Sequence, residues 1–179
     1  VIFALFVVSG TILFSKELVV LFTTEVYYSS ASLISILTMA VFFSNMYIFT
    51  PGISIVKKTK LISVITITAA IMNAILNYAL IPVLGLSGAA YATLISAISA
   101  FSLYLFFSFK YYPIPYQVKP ILLFFVITLI GSYGVASIFD KIEFVSIIVK
   151  IICLLVVLMS TSFFLLEKKY LQKIKLKLK

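Results

Sequence analysis

Few side chains on this chain can take part in bond chemistry. The 179 residues contain no histidine or arginine, one cysteine and five carboxylates against fourteen lysines, for a net charge of +9. Neither a disulfide nor a Cys/His metal site can be assembled from that set. General acid–base work would have to draw on Glu17, Glu25, Asp140 and Glu143, all in short connections. No catalytic residue, metal site or cofactor is therefore expected. What the spacing does favour is hydrogen bonding without bond breaking. Thr66, Ala70, Asn73 and Asn77 recur at intervals of three or four, so they share one face of a helix whose other faces are Ile, Val and Leu. Ser35, Thr38 and Asn45 form a looser stripe upstream. Such a stripe has two readings: hydrogen bonds to a neighbouring helix, which is the commoner case, or the wall of a wet path for a polar substrate. Asn45, Thr66, Asn73 and Asn77 are the substrate-path candidates, and Asn73 and Asn77 could instead cap the turn at Pro82.

The elements that position these residues are apolar to a degree that excludes water as their main solvent. Apolar residues make up 64% of the chain and charged ones 11%, where a soluble domain has about half and about a quarter. A helix needs roughly 20 apolar residues to cross a bilayer, and six runs approach or exceed that length, at 1–14, 30–56, 59–80, 87–108, 118–138 and 145–166. The first covers about 21 Å, too little to span. It also lacks the basic region and small-residue cleavage site of a signal peptide. The chain is accordingly expected to be the C-terminal piece of a longer protein.

Lysines set the topology. Lys57, Lys58 and Lys60 occupy one break, Lys110 and Lys119 flank another, and Lys168, Lys169, Lys173, Lys175, Lys177 and Lys179 fill the tail. The alternate connections hold Lys16 with Glu17 and Glu25, nothing basic at 81–86, and Asp140, Lys141 and Glu143. By the positive-inside rule the lysine-rich set is cytoplasmic, which places the C-terminus inside and Glu25, Pro82 and Asp140 outside. The tail EKKYLQKIKLKLK suits anionic headgroups, and no nucleic-acid partner is expected. Lys150 has two readings, snorkelling to the headgroups, the commoner behaviour near a helix end, or lining a polar cavity. No Asp or Glu falls at the centre of a run, so no carboxylate proton relay is expected, and Cys153 reads as a small hydrophobe.

Three further features concern helix shape. Pro51 and Gly52 lie where the second run stays apolar through Val56, so one kinked helix of about 27 residues is expected, with Pro51 freeing the Tyr47 carbonyl. Pro82 is expected to sit in a short Pro/Gly turn that ends the third run, and Pro51, Gly52 and Pro82 are the helix-break or gate candidates. Gly88, Ala92, Ser96 and Ala100 recur every four residues, beside Ala89, Thr93 and Ala97, as a small-residue face for close helix packing. Gly131 and Gly134 suggest a second close contact.

The order of these features resembles the C-terminal half of the bacterial polysaccharide (Wzx-type) flippases, of the MATE/MOP superfamily that also holds the multidrug exporters and the lipid II flippase. The segments that carry the resemblance are ELVVLFTTEVYYSSA (Glu17 to Ala31), the Asn45 helix ending in GISIVKKTK, and LNYALIPVLGLSGAAYATLIS (Leu76 to Ser96), the last being the most specific. The fold expected is all-α and integral to the membrane, a polytopic transmembrane helix bundle of about six helices that forms one lobe of a MATE/MOP-like transporter. Residues 1–116 would supply lobe helices, 117–166 a terminal transmembrane hairpin, and 167–179 a lysine-rich cytoplasmic tail. The resemblance further implies a multi-pass protein of the bacterial cytoplasmic (inner) membrane. It would move undecaprenyl-pyrophosphate-linked oligosaccharide outward by alternating access, for O-antigen, capsule or exopolysaccharide. Implied partners are membrane lipid, the lipid-linked oligosaccharide, an N-terminal lobe, and the polymerase and glycosyltransferases of the same polymer. Alternatives are another exporter of the superfamily, a membrane glycosyltransferase or polymer ligase, whose catalytic groups would be sought in large outer loops, and a non-transporting scaffold.

Overall fold

The computed structural model describes the backbone at 2–49, 51–112, 118–139 and 143–177, and side chains within 5–28, 30–48, 51–112, 126–139 and 143–160. The expectations resting on Lys119, Asp140, Lys141 and the tail lysines fall outside those side chains. Among the described residues all regular structure is helical: α1 (Ile2–Leu13), α2 (Ser15–Phe22), α3 (Ala31–Asn45), α4 (Gly52–Ile55), α5 (Thr59–Leu84), α6 (Leu86–Tyr111), α7 (Val118–Ile138) and α8 (Phe144–Lys177), with 3₁₀ turns at Glu25–Ser30 and Met46–Phe49. Three stretches are long and apolar enough to cross a membrane, Ala31–Ile55, Thr59–Leu84 and Leu86–Tyr111, and the pair Leu5–Leu13 and Ser15–Phe22 makes a fourth if its 69° bend is counted within one span. The chain is thus helical among the described residues, with helices of the length and apolar character that suit a membrane. Its outward surface agrees: Val64, Ile67, Ile71, Ile75 and Tyr78 form an exposed apolar face along α5, the arrangement that lipid solvates.

The chain forms two compact units, Val26–Val118 and the discontinuous set Val1–Glu25 with Lys119–Lys179. In the first-named unit, α6 is the packing axis, touching α5, α3 and α4. Against α5 it runs antiparallel, because the chain reverses at a single residue: Gly85 has φ +59°, a conformation that favours glycine. Here the sequence expectation needs correction. The third run does not stop ahead of a Pro/Gly turn. Helix α5 continues through Pro82 to Leu84, and the Gly85 amide closes it onto the Ile81 carbonyl at 2.8 Å. A proline near the last turn removes only one amide donor, so the helix persists past it. Three residues on, a Cβ at Gly88 would collide with the Leu80 carbonyl and lie 3.0 Å from the Ile81 nitrogen. Only glycine lets the two backbones approach so closely.

Against α3 and α4, α6 runs parallel. Phe43 meets Phe101 at 5.9 Å and Tyr47 meets Tyr104 at 5.7 Å between ring centroids. Gly52 donates its amide to Ser108 Oγ at 3.0 Å, and a Cβ there would lie 2.5 Å from that oxygen and 2.6 Å from the Ser108 carbonyl oxygen. The expected kinked helix is present as one span, Ala31–Ile55, and its irregularity is a 3₁₀ turn: α3 ends at Asn45, the turn follows, and α4 resumes after Pro51. Pro51 has no amide to give the carbonyl one turn before it, and the tighter winding absorbs that loss. Ile53, Ile65 and Tyr104 close the core of this unit.

In the other unit α1 packs on α8, and a Cβ at Gly10 would touch Leu154 at 3.7 Å. A Cβ at Gly131 or Gly134 meets nothing within 4 Å, so the second close contact expected there does not occur among the described residues. Two glycine substitutions should separate these cases. Gly88→Val is expected to lower stability by about 1–3 kcal/mol through overpacking, whereas Gly131→Ala should stay within about 0.5 kcal/mol of wild type. Melting of the helical circular-dichroism signal in detergent measures both, and equal losses would contradict the packing described.

Candidate functional site

Polar groups on α5 and α6 meet along one seam. Its partner numbers rise on α6 as they fall on α5, as an antiparallel register requires. Next to the close contact at Gly88, Asn77 donates from Nδ2 to Asn73 Oδ1 at 2.9 Å. Asn73 donates from Nδ2 to Ser96 Oγ at 3.0 Å and to Thr93 Oγ1 at 3.4 Å. Ser96 donates to the Ala92 carbonyl and Thr93 to the Ala89 carbonyl. Donation therefore runs in one direction, amide to amide to hydroxyl to backbone, and each bond polarises the next. Two turns further along, Thr66 Oγ1 and Tyr104 OH lie 2.8 Å apart, and both reach the Ile62 carbonyl. At the far end Lys58 Nζ sits 3.8 Å from the centre of the Tyr111 ring, a cation–π contact.

The four substrate-path candidates thus divide. Thr66, Asn73 and Asn77 are engaged along the seam. Asn45 is exposed and donates to the Val41 carbonyl of its own helix at 2.8 Å, away from the other three. Of the small-residue face, Gly88, Ala92 and Ser96 are buried and Ala100 is partly buried beside the Ile53, Ile65 and Tyr104 core. Pro51 and Gly52 mark the α3–α4 break, while Pro82 lies inside α5. The seam has one open polar atom, Asn77 Oδ1, buried with no hydrogen-bond partner. Amides and hydroxyls so arranged can hold helices together and accept a hydrogen bond from a ligand; they supply no nucleophile or base. Among the described residues no group of acidic, cysteine or histidine side chains could hold a metal.

Two features escaped sequence reasoning. Tyr104 lies among Phe101, Phe106 and Phe107 in the mostly apolar string FSLYLFF, which does not single it out, yet its hydroxyl joins the seam. Lys150 does not snorkel: its side chain is 2% exposed and bonds Glu17 at 2.6 Å. Glu17 lies in a helix rather than in an open connection. The two are 133 residues apart, so no local pattern could have paired them.

No family model, curated protein or solved structure matches the chain.

Removing the amide of Asn73 should show what the seam contributes. Asn73→Ala deletes two donations to α6 and strands the Asn77 donor, so a loss of about 1–2 kcal/mol is expected. Asn45→Ala should change stability by less than about 0.5 kcal/mol. Detergent unfolding of both variants decides between a seam that holds the hairpin and one that does not.

Proposed function

We propose that the protein acts as the C-terminal part of a membrane flippase that carries undecaprenyl-linked oligosaccharide repeat units across the bacterial cytoplasmic membrane for surface polysaccharide synthesis. The observation that carries this reading is the segment Leu76 to Ser96. It has the asparagine, LIP, glycine and Gly-Ala-Ala order of the polysaccharide flippases, and it builds a helical hairpin with a polar interior seam and an apolar exterior. A carrier of this kind makes and breaks no covalent bond, which suits a chain poor in acid–base groups. Alternating access requires helices that move against one another. The 3₁₀ break between α3 and α4, beside the Gly52–Ser108 contact, is a point at which one span can flex.

The topology that goes with this reading puts the lysine-bearing end of the α5–α6 hairpin in the cytoplasm and Gly85 outside. In support, Lys58 contacts Tyr111, which gathers Lys57, Lys58, Lys60 and Lys110 at one end of the hairpin. Two experiments test the proposal. Deleting the gene in its own bacterium should abolish the surface polymer and leave lipid-linked repeat units in the membrane, with recovery from a plasmid copy; normal polymer in the deletion strain rules the function out. A green fluorescent protein fused to the C-terminus should fluoresce and an alkaline phosphatase there should be inactive, and the reverse pattern would invert the topology.

A further inference from the structure

The buried ion pair of the α1, α2 and α8 unit has no place in the function proposed above. Glu17 Oε1 lies 2.6 Å from Lys150 Nζ, with the lysine side chain 2% exposed and the glutamate 16%. Two features bring them together: α1 packs on α8 near Gly10 and Leu154, and the chain bends by 69° between α1 and α2, turning Glu17 towards Lys150. Ionisable groups held within a membrane helix bundle are costly and call for an explanation beyond packing.

The contact is incomplete in its closed form. Glu17 Oε2 is buried with no hydrogen-bond partner, and in the same unit the hydroxyl of Ser9, on α1, is buried and unpartnered. A buried ion pair offsets the desolvation of two charges only when its remaining lone pairs are bonded as well. Here one carboxylate oxygen is not, so closure stabilises the unit little, whereas separation into water would hydrate both groups fully. A buried pair that leaves one carboxylate oxygen unbonded costs less to separate than a fully bonded one. Losing one partner alone would favour the open arrangement, because a single charge left inside has nothing to offset its desolvation.

We propose that Glu17 and Lys150 form a separable latch. Closed, it holds α2 against α8 and excludes water; open, it hydrates both charges and admits water to the face of α8 around Lys150. The latch depends on the protein being membrane-embedded and not on what it transports.

The only cysteine in the sequence provides a reporter. Cys153 lies one turn after Lys150 and is partly buried. The Cys153 thiolate, which forms where water reaches the sulfur, adds to the double bond of maleimide, so alkylation of Cys153 in native membranes follows opening. Against wild type, Glu17→Leu combined with Lys150→Leu should react about tenfold more slowly while keeping or raising heat stability, and Glu17→Gln should react about tenfold faster. Glu17→Lys combined with Lys150→Glu should return towards the wild-type rate. The latch is overturned if the double leucine variant reacts as fast as wild type, or if wild-type Cys153 does not react. It is also overturned if the double leucine variant fails to accumulate, since the pair would then be a brace. None of these readings depends on polysaccharide, so loss of the latch and loss of the flippase function remain separate results.

Discussion

Close backbone approach without a side chain between is the constraint on which the α5–α6 hairpin rests. In hydrocarbon, leucine gains nothing by leaving lipid for protein, so two helices associate through contact at short range and through hydrogen bonds. Gly88 permits the first against Leu80, and Asn73 with Ser96 makes the second. The order matters: the hydroxyls of Thr93 and Ser96 lie within reach of Asn73 because Gly88 and Ala92 have already brought the axes together. The same device recurs on the other side of α6, where Gly52 meets Ser108.

With its contact faces made of small and hydroxylated residues, the chain turns its large apolar side chains outward. Ile67, Ile71, Ile75 and Tyr78 are exposed on α5, while Ser96, Ser108 and Ala92 are buried on α6. This inverts the pattern of a water-soluble bundle and follows directly from the change of solvent. On α5 and α6 the inner face differs from the outer one by small size and by amides and hydroxyls, not by charge.

Size and spacing were therefore the legible signals. The intervals of three and four among Thr66, Asn73 and Asn77, and of four among Gly88, Ala92 and Ser96, put each set on one helical face, because helical periodicity relates near neighbours in sequence; that the two faces meet each other is visible only in the structure. Helix ends were read less well. Pro82 looks like a stop, but one missing amide donor near the last turn leaves the rest of α5 intact. Tyr104 carried no sequence mark because a tyrosine among phenylalanines reads as lipid-facing. The Glu17–Lys150 pair lay beyond any local rule, since its formation depends on how α1 packs on α8 and how α2 turns away from α1.

Every contact described along the seam lies between Lys58 and Tyr111, and its two helices are joined through the single residue Gly85. The order of synthesis gives that arrangement a meaning. When the ribosome has made Tyr111, all the residues that fasten this hairpin already exist, from the cation–π contact at one end to the glycine contact at the other. The pair can enter the bilayer zipped, its amides shielded from lipid from the start.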